Sequence, residues 1–128
     1  MSKQEKIKYI NEKYNADYKF STSGRIYEMG MGKKIFTKFD DIVSHYEGRE
    51  RERNAQENAK IVFLYIEKNG GIIIYKSIYG SRYYDYKGYR VRISNHSWTS
   101  EKHNEPDVNL YSNEKNGACE MIEKLKKL

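Results

Sequence analysis

"GSRYYDYKGYRVRISNHSW", residues 80–98, places aromatic and β-branched residues in alternation with charged ones around Lys87-Gly88. Glycine accepts the positive φ of a two-residue hairpin turn, so a hairpin turning at Lys87-Gly88 is expected. That turn sets a register. Tyr86 then faces Tyr89, Asp85 faces Arg90, Tyr84 faces Val91, Tyr83 faces Arg92, Arg82 faces Ile93 and Ser81 faces Ser94. Side chains alternate between the two faces of a strand. One face carries Tyr84, Tyr86, Tyr89, Val91 and Ile93, with Arg82 at its end, and reads as the core side. The other carries Ser81, Tyr83, Asp85, Arg90, Arg92 and Ser94, with His96 just beyond. A slip of one residue would exchange the two sets.

The second face collects groups suited to an anion. Arginine offers a planar fork that can hold a carboxylate or phosphate through two hydrogen bonds. Serine and tyrosine hydroxyls add neutral contacts, and His96 can donate, accept or transfer a proton. Between Lys76 and Arg92 there are five basic residues (Lys76, Arg82, Lys87, Arg90, Arg92) against one acid, Asp85. Tyrosines can also stack on unpaired bases. A scaffold reading stands beside the functional one. Asp85 and Arg90 can form an exposed cross-strand ion pair worth about 0–1 kcal/mol, and Arg92 can anchor packing by bonding backbone carbonyls. Tyr79 and Trp98 read as packing residues.

Upstream, "KQEKIKYINEKY" at residues 3–14 shows helical spacing of Ile7, Ile10 and Tyr14. Two β-like runs around Gly30-Met31-Gly32 suggest a further hairpin. Residues 37–70 look helical over most of their length, with Thr37 as candidate N-cap and Asp40 and Asp41 suiting the positive helix end. Phe39, Ile42, Val43 and Tyr46 form one apolar stripe; Ile61, Leu64 and Tyr65 suggest another. Gly48 is a candidate break, and Asn69-Gly70-Gly71 a candidate C-terminal cap. A rival reading pairs "KIVFLYIEK" as a strand with "GIIIYK". "GRERERNAQEN", residues 48–58, reads as a solvated helix face. "PDVNLYS" suggests one more strand, and "NGACEMIEKLKKL" an amphipathic helix with Met121, Ile122, Leu125 and Leu128 inward.

The expected fold is α+β: a small antiparallel β-sheet with a long central helical segment and a C-terminal helix. A length of 128 residues suggests a single domain. It would comprise an N-terminal helix and hairpin (1–36), a central helical segment (37–70) and a hairpin sheet with a terminal helix (71–128). The formal charge is +6 and the pI about 9.2, which favours anionic partners. The lone cysteine, Cys119, excludes an internal disulfide and reads as a packed or idle thiol. No signal peptide or membrane-spanning run stands out, so a cytoplasmic setting is expected.

His45, His96 and His103 have no recognised metal spacing, although "HSWTSEKH" brings the last two close in sequence. No phosphate loop or dinucleotide glycine pattern appears, and no cofactor is expected. Ser81, Ser94 and His96 lack a third triad member. A metal-independent ribonuclease centred on His96 keeps a chemical rationale, because a His base beside Arg and Tyr could handle a scissile phosphate.

Ser81-x-Tyr83, a short turn and then Arg92-Ile93-Ser94-Asn95-His96 resembles a motif of small phage and mobile-element proteins, roughly S-x-Y, a gap, then R-[VIL]-S-[DN]-H. Residues 71–128 are also similar to the C-terminal half of broad-spectrum anti-CRISPR inhibitors of type II RNA-guided nucleases. Residues 1–70 show no comparable likeness. The resemblance implies a non-enzymatic inhibitor acting in the cytoplasm of a bacterial host. Its partner would be the nuclease, alone or loaded with guide RNA. Ser81, Tyr83, Arg92, Ser94, Asn95 and His96 match the motif, and Arg90 joins them from the face reading as a binding candidate. The alternative function is a stand-alone nucleic-acid-binding module, whose affinity should fall steeply with salt. The oligomeric state is left open.

Overall fold

The computed structural model describes residues 1–97 and 106–128. Trp98 and His103, and with them the expected packing role of Trp98 and the His96/His103 metal pair, lie outside the described residues. The α+β class holds. The chain comprises two compact units, Met1–Glu47 and Gly48–Leu128.

The first unit opens with helix α1, Lys3–Tyr14. The Ser2 hydroxyl caps it by accepting the Glu5 N–H, and Asn15 closes it in the left-handed conformation. Strands β1 (Lys19–Phe20), β2 (Ile26–Gly30) and β3 (Lys33–Thr37) form an antiparallel sheet in that order. Met31 and Gly32 make the β2–β3 turn, with φ of 51° and 77°. Ile7, Ile10, Ile26 and Ile42 are the buried centre, with Phe20, Phe39 and Tyr46 packed around it. The Asn11 carboxamide ties α1 to the following loop: it donates to the Tyr18 carbonyl and accepts the Tyr18 N–H.

Helix α2 runs unbroken from Phe39 to Lys68. Thr37 is not its N-cap but the last residue of β3; the Lys38 carbonyl accepts the first helical bond, from Ile42. Gly48 does not interrupt the helix: its intrinsic cost of about 1 kcal/mol is outweighed by packing on both sides, through Ile42 before it and Ala55 and Ala59 after it. The second apolar stripe is also differently phased. Ala55, Ala59, Val62, Phe63 and Ile66 are buried, whereas Ile61 and Leu64 are exposed and Tyr65 is partly buried. An unbroken apolar run such as IVFLYI carries no phase of its own. The buried Ala59 and Ala55, one and two turns earlier on the same face, mark it. The strand alternative for "KIVFLYIEK" is thereby overturned. The helix ends as anticipated at Asn69-Gly70-Gly71: Gly70 has φ 95°, and the Gly71 N–H bonds the Ile66 carbonyl.

In the second unit, β4 (Ile72–Lys76), β5 (Arg82–Tyr86), β6 (Tyr89–Ile93) and β7 (Val108–Leu110) form a four-stranded sheet in sequence order. The pairs are antiparallel except β6–β7, which is parallel, so this sheet is mixed. Helix α3 spans Ala118–Lys126. Met121 and Leu125 are buried against Val62, Ile66, Tyr84, Val91 and Ile93, with Ile122 and Leu128 at the margin.

A buried polar lattice and an exposed edge on the central hairpin

The hairpin register follows from its turn. Lys87 and Gly88 both have positive φ, 52° and 81°, and all five pairs from Tyr86–Tyr89 to Arg82–Ile93 form as the alternation requires. On the core face Tyr84, Tyr86, Val91 and Ile93 are buried and Tyr89 is half-exposed. Arg82 closes that face by lying 4.3 Å over the Phe63 ring and bonding Glu67. The Tyr84 hydroxyl donates to the same Glu67 carboxylate, at 3.1 Å. Burial pushes the Tyr84 phenol above its ordinary range, and the neighbouring Glu67 charge works in the same direction.

The opposite face is divided. Ser81, Tyr83, Arg92 and Ser94 are buried, Arg92 to 3% exposure. The Arg92 guanidinium donates to Asn109 Oδ1 at 3.1 Å and to Ser81 Oγ at 3.5 Å, and lies 5.9 Å from the Tyr83 ring centre. Tyr75 packs on Tyr83 with ring centres 5.8 Å apart. Ser94 bonds β7 through its backbone N–H to Leu110, and its hydroxyl accepts the His96 N–H. These four residues, placed by alternation on an anion-facing surface, form an internal lattice joining β5, β6 and β7. Asn95 sits over Gly80, where a Cβ would collide with its carboxamide; this close approach is what the glycine permits.

His96 is anchored from α2. Its Nδ1 lies 3.2 Å from Glu52 Oε1, while Glu52 Oε2 accepts the Ser97 N–H at 3.0 Å. Burial works against ionisation of Glu52, but the Ser97 hydrogen bonds and His96 outweigh it and hold the carboxyl below its ordinary range. Tyr79 stands edge-on to the imidazole at 6.3 Å. A carboxylate on one imidazole nitrogen fixes the ring's orientation and tautomer, as needed for positioning or for proton transfer at the other nitrogen. Glu52 went unrecognised in the sequence because it sits within the alternating charges of "RERER". There the arginines are exposed and Glu50 and Glu52 are half-buried.

Arg90 differs from Arg92 in being exposed. It faces Asp85 across the hairpin, and its backbone N–H and C=O both bond Asp107. Alongside runs β4, an edge strand exposed at every position. Ile72, Ile74 and Tyr75 are at least half exposed, and the following turn adds Ile78 at 89% and Tyr79 at 71%. Lys76 ends the strand opposite Arg82, and Arg90 lines a cleft with Ile74.

A second buried polar residue also escaped sequence reading. Asn58 donates to the carbonyls of Ser112 and Glu114 and accepts the Ala118 N–H, so it holds the start of α3 against α2. Cys119 is exposed and unbridged, not packed. Among the described residues no group of three or more His, Cys, Asp and Glu side chains is placed to hold a metal, and no helix is long and apolar enough to cross a membrane. No family model matches the chain, and neither a curated protein nor a solved structure matches it.

Proposed function

We propose that the chain is an anti-CRISPR-like inhibitor from a phage or mobile element, acting in the bacterial cytoplasm. It would bind a type II RNA-guided nuclease, or its guide-loaded complex, and block DNA binding or cleavage. The Ser81-x-Tyr83…Arg92-Ile93-Ser94-Asn95-His96 resemblance suggests the class. The observation that carries a binding role is the exposed β4 with its turn: apolar surface of this kind on the edge strand of a sheet is what partner-binding surfaces look like. In this reading Ser81, Tyr83, Arg92 and Ser94 hold the platform. Tyr75, Ile78, Tyr79 and Arg90 make the contacts. The basic local charge suits guide-RNA phosphates or an acidic protein surface, and a net-basic chain is a poor mimic of DNA.

The test is DNA cleavage by purified type II nucleases, titrated with the chain before and after guide loading, with the RNA followed on a gel. Stoichiometric loss of cleavage with intact RNA supports inhibition by binding. A minority reading, a ribonuclease, draws on the Glu52–His96 pair. It predicts shortened RNA that His96→Ala leaves whole.

A further inference from the structure

We infer that the first unit carries a binding platform for single-stranded nucleic acid on the outward face of β1–β2–β3. Its register aligns Lys19, Tyr27 and Phe36 in one row across the three strands, and Met29 with Lys34 in the next row out on the same face. The acid of this sheet, Glu28, alternates to the other face with Ile26 and Ile35.

The outward cations and rings interleave. The Arg25 guanidinium lies 4.0 Å from the Phe36 ring centre and the Lys34 ammonium 4.8 Å from that of Tyr27, while the two rings are 5.8 Å apart. Phe36 is 41% exposed and Met29 52%. Arg25 and Phe36 also wall a cleft of about 520 Å³. Its other cations are Lys3 and Lys38 and its other aromatic rings Phe20 and Phe39, with Asp40 as the acid on the wall. Lys3 lies 5.5 Å from the Phe39 ring centre, so the alternation of charge and ring continues into the cleft.

Phosphates need the cations and bases need the rings. An unpaired base can lie on the Arg25 guanidinium plane or take its place on Phe36. An acidic peptide would use the cations and leave the aromatic surface idle. A duplex hides its base faces and gains nothing from Phe36. The inference does not depend on the nuclease reading, because it concerns free oligonucleotides and the unit outside the C-terminal resemblance.

The experiment is fluorescence anisotropy of the full chain with labelled oligouridylate and oligothymidylate of about 12 nucleotides. A duplex and polyglutamate serve as competitors. Both single strands should bind, with an advantage for oligouridylate indicating contacts to the 2′-hydroxyl. Three phosphate contacts give a log–log salt slope of about −2. Phe36→Ala, with its fold checked by circular dichroism, should weaken binding roughly 5- to 150-fold, the range expected for loss of one stacked base. Lys34→Glu tests the charge independently and should also weaken it. No binding at low salt, equal competition by the duplex or polyglutamate, or an unchanged affinity in folded Phe36→Ala would each overturn the inference.

Discussion

The hairpins β2–β3 and β5–β6 share one plan and end in opposite environments. Each has two five-residue strands joined by a two-residue turn with both φ values positive. In each, a tyrosine at the second position of the first strand faces the fourth residue of the second: Tyr27 with Phe36, Tyr83 with Arg92. Tyr83 and Arg92 are buried, whereas Phe36 is exposed and Tyr27 is partly so. The turn fixes pairing and alternation fixes the face, but neither says whether the outer face will be covered. In the second unit Asn109 on β7 accepts a hydrogen bond from Arg92 and Tyr75 on β4 packs on Tyr83, so the outer face is covered.

The comparison breaks most readily at the paired fourth positions. Arg92→Ala removes a buried guanidinium and its bonds to Asn109 and Ser81, so it should lower unfolding free energy by about 2–4 kcal/mol. The shift of the denaturant midpoint measures it. Asn58→Leu should follow at about 2–3 kcal/mol, because it leaves the Ser112 and Glu114 carbonyls and the Ala118 N–H without their side-chain partner. Gly88→Ala and Gly32→Ala should cost about 1–2 kcal/mol each, and about the same as one another. Both glycines have positive φ with open space around the missing Cβ, so only backbone strain is added. Unequal costs would show that the turns are not equivalent. Phe36→Ala should cost about 1 kcal/mol of stability, less than a fully buried ring would, since the side chain is only partly buried.

The smallest effect concerns pH. The Glu52 carboxyl is depressed in the folded chain, so its contribution is complete above the ordinary glutamate range of about 4.3. It is lost as pH falls through the lower folded value. Glu52→Gln should therefore lower stability at neutral pH, flatten the acid limb below about pH 4.3, and converge with the native chain once the carboxyl is protonated. Thermal unfolding across that range checks it.

Much of this architecture was legible. Lys87-Gly88 yielded the register of β5–β6, and the spacing of Ile7 and Ile10 yielded α1. The phase of α2 was not legible, because Ile61 and Leu64 are as apolar as Val62 and Ile66, and the small Ala55 and Ala59 carry the signal. The site was legible only as a set of positions. Arg90 and Arg92 differ by two residues and share a face, yet one is exposed and the other buried. That difference arises from contacts distant in sequence, as does the pairing of Glu52 with His96 across 44 positions.

The proposed inhibition would act through the exposed edge of β4. Its most direct test is a titration of DNA cleavage by a guide-loaded type II nuclease with the native chain and with a folded Tyr75→Asp/Ile78→Asp variant. The account predicts stoichiometric inhibition by the native chain, with the guide RNA intact, and its loss in the variant. Undiminished cleavage across several such nucleases, or a variant as potent as the native chain, would contradict it.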